Sequence, residues 1–220
     1  MLECRLAWQP SNPIHNCALL YELIALHHNG RLAAVRDHTA VVALDAPTPQ
    51  AVVHLSHVLV EPEFRRTGLA GWLRALPIQA ARACLVAAGH SPTSPITLVA
   101  EMEHPDAAHA GRMIRLQAYE RAGFQKLDPA VTPYCQPDFR PVTEIDASGG
   151  PRPLPFALVT RRVGREHETE ITGAEARALA DALYRMYGTA FREQDMVPLW
   201  RNLAKFPAPE ATISLTPPTA

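Results

Sequence analysis

AVVHLSHVLVEPEFRRTGLAGW, residues 51–72, decides how this 220-residue chain is read. Val52 to Val60 is a run of β-branched and apolar residues, the pattern of a buried strand. Glu61-Pro62 ends it, because proline has no N–H to give to a ladder. Arg65-Arg66-Thr67-Gly68-Leu69-Ala70 then makes a basic turn ahead of a segment whose spacing predicts a helix. A strand, a tight basic turn and a helix start together make an anion site: main-chain N–H groups face the ligand and the helix dipole favours negative charge. Small residues at Gly68 and Ala70 let phosphate oxygens reach the backbone.

Outward from this stretch, the helix places Leu69, Leu73, Leu76, Ala80, Ala83 or Cys84, and Ala87 on one stripe, with Arg74 and Arg82 off it. Pro77 removes a hydrogen bond inside that helix and predicts a kink; Gly89 ends it. Cys84 falls on the core side and reads as packing. Ile96–Glu103, ITLVAEME, is the next strand, with Glu101 and Glu103 on one face. A helix over 110–122 follows, with Gly123 just past its end and Phe124 opening another strand.

Two motifs in these elements resemble those of one family. Val60-Glu61-Pro62-Glu63-Phe64-Arg65-Arg66-Thr67-Gly68-Leu69-Ala70 is similar to the acetyl-CoA signature of the GNAT acyltransferase superfamily, with Arg65, Gly68 and Ala70 at its three fixed positions. Ala118-Tyr119-Glu120-Arg121-Ala122-Gly123-Phe124 resembles a second GNAT motif, whose tyrosine faces the cofactor thiol. The resemblance covers roughly residues 32–163. It implies an α/β (α+β mixed sheet) GNAT fold, here with a proline-rich loop between the sixth and seventh strands and extra C-terminal helices. It also implies two splayed central strands, Val52–Val60 and Ile96–Glu103, and a domain division of 1–164 for the acetyltransferase and 165–220 for a helical extension packed on it.

The activity implied is direct transfer of an acetyl group from acetyl-CoA, as co-substrate, to a primary amine of a small molecule, without a metal. Val58, Leu59, Val60, Arg65, Arg66, Thr67, Gly68, Leu69, Ala70 and Gly71 would then bind the cofactor, a main-chain N–H at Val58 or Leu59 serving the thioester oxygen. Tyr119 would protonate the departing thiolate: a phenol of reference pKa about 10 lies above a thiol of about 8.5. For the base, some relatives use a glutamate on the first splayed strand; that position is His54 here, and Glu101 and Glu103 are further candidates. His54 also fits a hydrogen-bonded structural role, and the two glutamates fit a cationic acceptor or ion pairs with arginine. Many relatives have an asparagine after the second splayed strand, where this chain has His104-Pro105-Asp106. Two alternatives remain: a CoA-binding regulatory or interaction module without turnover, and an acyltransferase with a longer acyl donor or a protein acceptor.

The rest of the chain gives weaker signals. Met1–Trp8 reads as a short first strand. Asn16, the apolar residues Leu19, Leu20, Leu23, Ile24 and Leu26, and Asn29-Gly30 read as a helix with a start and a stop, putting His27 and His28 in its last turn. Adjacent histidines on a helix share no face, which argues against a metal pair there. Residues 31–45 alternate as one bent strand or two short ones. Residues 128–155 hold seven of the 21 prolines, which argues against any helix and for a long surface lid anchored by Tyr134, Phe139 and Ile145. Thr172-Gly173-Ala174-Glu175 is a capping box opening a helix to Gly188. A second helix spans 195–205 with Pro198 in its first turn, and residues 212–220 read as a fraying end. These two helices offer a packing face on the sheet or a homodimer contact.

Composition sets the outer bounds. A net charge of −1 and 47% hydrophobic residues fit a globular domain and argue against nucleic-acid or membrane-surface partners. Cys4, Cys17, Cys84 and Cys135 show no metal-like spacing, and Cys135 has no neighbour that would activate it as a nucleophile. With no leader-like start and no apolar run long enough to span a bilayer, the expectation is a cytoplasmic protein.

Overall fold

A computed structural model describes residues 1–106 and 109–220. The chain starts with three antiparallel strands in order, β1 (Leu2–Trp8), β2 (Cys17–His28) and β3 (Arg31–Ala43). The helix expected over Leu19–Leu26 is therefore a strand. Its burial has period two, with Leu20, Glu22, Ile24 and Leu26 inward. Glu22 is a charged residue on the buried face, and that hid the alternation. Asn29-Gly30 is not a helix stop but a two-residue hairpin turn between His28 and Arg31, with φ of +50° and +76° at its two residues. Two left-handed residues in succession match the twist of the strands they join, and Asn-Gly adopts them at least cost. His27 and His28 consequently close a strand.

β4 (Ala51–Val60) continues the sheet antiparallel to β3, with a bulge where Ser56 and His57 of β4 stand against Asp37 of β3. On its other side Ala51–His54 pairs parallel with Ile96–Val99 of β5 (Ile96–Met102). Between them run α1 (Leu69–Ala75) and α2 (Pro77–Ala87). Pro77 does more than kink one helix: it is the first residue of a second one, where its missing N–H costs nothing. Leu73 of α1 packs on Ile24, Leu26 and Ala34, with Val60, Leu69 and Leu76 around them. Cys84 lies in the core as expected; burial pushes its thiol up to about 12, and Sγ donates to the Ala18 and Ala40 carbonyls at 3.4 and 3.7 Å.

Residues 1–99 form one compact unit and 100–220 a second. The second contains α3 (Ala110–Glu120), β6 (Gln125–Leu127), β7 (Tyr134–Gln136), α4 (Val142–Ala147), β8 (Leu154–Arg162), β9 (Glu170–Thr172), α5 (Gly173–Tyr187), α6 (Glu193–Leu203) and β10 (Thr212–Thr216). Here β8, β6, β10 and β9 pair antiparallel in that order, and β7 pairs with β8. Residues 212–216, expected to fray, are the strand between β6 and β9. The capping box stands as read: Thr172 Oγ1 accepts from the Glu175 N–H at 3.1 Å and Glu175 Oε2 from the Thr172 N–H at 3.3 Å. Pro198 lies inside α6 rather than in its first turn, because the helix starts at Glu193.

The proline-rich segment holds both a strand and a helix. Prolines at 129, 133, 137 and 141 leave 142–150 free, and α4 forms there with Pro141 as its N-cap. Tyr134 and Ile145 are buried as expected of anchors, whereas Phe139 is 58% exposed, edge-on to Tyr187 and Phe191. Asp138 staples the segment: its buried carboxylate takes Arg140 Nε at 3.0 Å and the main-chain N–H groups of Arg140 and Arg152 at 3.1 and 2.7 Å. The Arg140 guanidinium holds that carboxyl well below the usual range.

Beneath α2, which packs on β2 and β3, a polar cluster is buried. His38 is fully buried with its Nε2 3.4 Å from Glu22 Oε2, and Arg36 on the same strand is 1% exposed. Burial, reinforced by Arg36 and Arg5 and opposed by Asp37, lowers the His38 pKa from 6.5 to about 4. The unfolded chain thus takes up this proton first as pH falls. The stability from a neutral His38 is complete above pH 6.5 and is lost between 6.5 and 4. Urea titrations at about pH 7 and about pH 5 should differ by about 2 kcal/mol, and a His38→Gln variant should flatten this window.

Candidate functional site

Where β4 ends, Pro62–Phe64 forms a single 3-10 turn and the chain reverses through Arg65–Gly68 into α1. Arg66 at φ +65° and Gly68 at φ +89° are both left-handed. For Arg66, a residue with a side chain, this is a strained conformation of the kind that collects at binding sites. At Gly68 a Cβ would meet no protein atom within 4 Å, so the glycine is set by backbone conformation and faces open space. Arg65 Nε donates to the Val60 carbonyl at 3.1 Å and Thr67 Oγ1 to the Phe64 carbonyl at 2.6 Å, which fixes the turn from both sides.

The turn walls a cavity of about 380 Å³ lined by Val60, Phe64, Arg65, Arg66, Gly68, Ala70, Gly71 and Arg74. Three of these are arginines and none is a carboxylate. No side chain caps α1, and the Gly71 and Trp72 amides turn back to the Gly68 carbonyl at 2.9 and 3.2 Å. The amides of Leu69 and Ala70 have no main-chain acceptor among the described residues. Guanidinium groups, uncapped amides at a helix start and room for a diphosphate therefore coincide at one place. Of the residues singled out in the sequence, Val60, Arg65, Arg66, Gly68, Ala70 and Gly71 line the cavity; Thr67 braces the turn, and Leu69 packs inward on the core. Phe64 and Arg74 were missed. Arg74 stands one helical turn beyond Ala70, a spacing that could have found it.

Val58 and Leu59 are 46% and 49% exposed and bond to β3 on one side. The parallel register with β5 stops at His54, so within the first unit Leu55–Val60 has no β5 partner. His54 sits at the last parallel pair, 6% exposed, with Nδ1 3.1 Å from Ser56 Oγ.

The remaining candidates lie in the second unit. Tyr119 is buried in the last turn of α3, its ring edge-on to Phe124 at 4.8 Å. The Phe124 N–H donates to the Tyr119 carbonyl at 3.1 Å, and Gly123 at φ +77° makes the reversal between them. Glu103 is paired with Arg112 at 2.9 Å and with Arg115. Glu101 has both oxygens engaged: Oε1 accepts from the Tyr134 hydroxyl, and Oε2 from Gln136 Nε2 at 2.8 Å and the Tyr187 hydroxyl at 2.5 Å. This ties β5, β7 and α5 together and gives the carboxylate a structural task that the sequence did not reveal. Burial first, then Glu101, pushes the Tyr134 and Tyr187 phenols above their ordinary range. Cys135 is half-buried beside Asn202, and burial raises its thiol pKa. Among the described residues no group of His, Cys, Asp or Glu forms a metal cluster, and no helix is long and apolar enough to cross a membrane.

No family model matches the chain, and no curated protein matches its sequence. Solved structures do. A candidate acetyltransferase of the GNAT family from Desulfovibrio desulfuricans is similar at 17% identity and a TM-score of 0.39, over 65% of this chain and 69% of that one. Naa20 of Chaetomium thermophilum, in complex with a bisubstrate analogue, is similar at 17% identity and 0.37, over 66% and 67%. The ribosomal-protein-S18-alanine N-acetyltransferase of Escherichia coli is similar at 15% and 0.31, over 74% and 94%. These scores are low, and what the chain does is read from its own residues.

Two outcomes follow from the site. Reversing charge in Arg65→Glu with Arg66→Glu should weaken CoA binding by about 100-fold in calorimetry, two charge-assisted contacts being lost at about 1.5 kcal/mol each. Glu101→Ala should lower the unfolding midpoint, because two buried phenols lose an acceptor at a cost of about 1–3 kcal/mol each. An unchanged midpoint would show that Glu101 is no structural tie.

Proposed function

We propose that this chain is a GNAT-type N-acetyltransferase that moves an acetyl group from acetyl-CoA to a primary amine of a small molecule. The observation that carries the reading is the arginine-lined cavity at the β4–α1 turn, with its left-handed Arg66 and Gly68 and its uncapped helix start. Arg65, Arg66 and Arg74 would neutralise the cofactor's phosphates while the Leu69 and Ala70 amides bind their oxygens. The Val58 or Leu59 N–H, at the exposed end of β4, would stabilise the thioester oxygen as negative charge develops there.

The balance of the reaction fixes the remaining roles. The acceptor nitrogen gives its electron pair to the thioester carbon and the carbon–sulfur bond breaks. The Tyr119 hydroxyl supplies the proton for the departing sulfur, and the acceptor ammonium gives up protons to a base. His54 is the better base candidate. Glu101 is occupied by Tyr134, Gln136 and Tyr187, and Glu103 by Arg112 and Arg115.

Thiol release measured with acetyl-CoA and a panel of small amines tests the reading. Amine-dependent release supports it; release absent with every amine while CoA still binds would favour a binding module without turnover. Tyr119→Phe should lower kcat by about 100-fold with little change in CoA affinity, and unchanged turnover would remove the acid role.

A further inference from the structure

β1 is an edge strand that the fold leaves open. Its seven residues pair with β2 from Leu2↔His27 to Trp8↔Tyr21 without a bulge, and among the described residues β1 has no second neighbour in the sheet. Leu6 and Trp8 are 64% and 51% exposed, and Cys4 on their face is exposed too. Protected edges carry charged side chains (lysine above all), proline, a bulge or a covering segment, and the charges of β1 are already paired with each other. LECRLAW has neither proline nor lysine, its register is unbroken, and its residues from Glu3 to Trp8 stand exposed.

The charges on this edge suit one partner. Glu3 and Arg5 are the only charged residues of β1, opposite in sign and two positions apart on one face. Arg5 is held by Glu3, by Gln79 Oε1 at 3.2 Å and by Glu22 Oε2 at 3.7 Å. In an antiparallel pair, directly opposed residues share a face, so a two-fold axis between copies passes through one residue and its own copy. An axis at Glu3 or at Arg5 opposes like charges. An axis at Leu6 leaves Glu3 and Arg5 opposite no opposite charge. An axis at Cys4 sets Glu3 opposite Arg5 of the other copy, twice, and leaves the exposed Leu6 and Trp8 on one continuous face.

We infer that β1 is a homodimerisation edge, pairing antiparallel with β1 of a second copy about an axis through Cys4. The single ion pair Glu3–Arg5 becomes a network of four alternating charges, and the open ladder of each copy is closed. Dimerisation is thereby assigned to the N-terminal edge and not to α5 or α6. It is independent of acetyl transfer, since no residue of the β4–α1 cavity takes part.

Sedimentation velocity at rising protein concentration gives the first readout, and a dimer is expected. The second reads the axis. Opposed residues have Cα atoms about 4.5–5.5 Å apart, within disulfide reach. Diamide, accepting two electrons and two protons, should join two Cys4 thiols into a disulfide-linked dimer, which persists in Cys135→Ser and is lost in Cys4→Ser. Glu3→Arg alone and Arg5→Glu alone should each be monomeric, all four facing charges then being alike, while an equimolar mixture should form a heterodimer. The mixture also guards against misfolding, because only folded strands can pair. A monomer at every concentration, a dimer that does not cross-link through Cys4, or a mixture that stays monomeric would each overturn the inference.

Discussion

α1 starts without a side-chain cap, and the first unit is built around that constraint. The strand that leads to it, β4, is paired along its length with β3 and, at Ala51–His54, with β5. A helix that starts without a cap needs another acceptor for its first amides. That shortage falls at one turn, from Val60 through Gly68 to Ala70. The turn is affordable only because the hydrophobic contact of Leu69, Leu73 and Leu76 with β2 and β3 holds α1 in place. A polar deficiency kept in a rigid frame is what a phosphate-bearing ligand requires.

The second unit solves a different problem, that of holding many short elements with few ladder bonds. It does so with buried or half-buried charge. Asp138 gathers the main chain at Arg140 and Arg152, Glu101 gathers Tyr134, Gln136 and Tyr187, and Arg165 joins Glu168 to Glu175 at 2.8 and 2.7 Å. Stacked Tyr134 and Tyr184, with Trp200 edge-on to the latter, fill the space between β7 and the two long helices. Paired carboxylates of this kind fix geometry more than they add net stability.

The β4–α1 turn was legible because its information is local: proline, glycine and arginine at fixed offsets carry both conformation and charge. The capping box at Thr172 was legible for the same reason. β2 was not, since Glu22 lies on its buried face and imitates a helix's polar position. Asn29-Gly30 held the correction, as a hairpin signal read as a helix end. The proline count of residues 128–155 concealed the proline-free window where α4 forms. The partners of Glu101 were out of reach, because Tyr134, Gln136 and Tyr187 stand far from it in sequence and only packing brings them to it.

Pro77 has a mechanical consequence. It cannot return a hydrogen bond to the Leu73 carbonyl, so the rod that begins at the basic turn is seven residues long and the next begins afresh. The basic turn thus stands on a short rod seated on leucines, while α2 packs separately across β2, β3 and β4. The two rods answer to different neighbours, so a change of side chain in one leaves the hydrogen-bond ladder of the other whole.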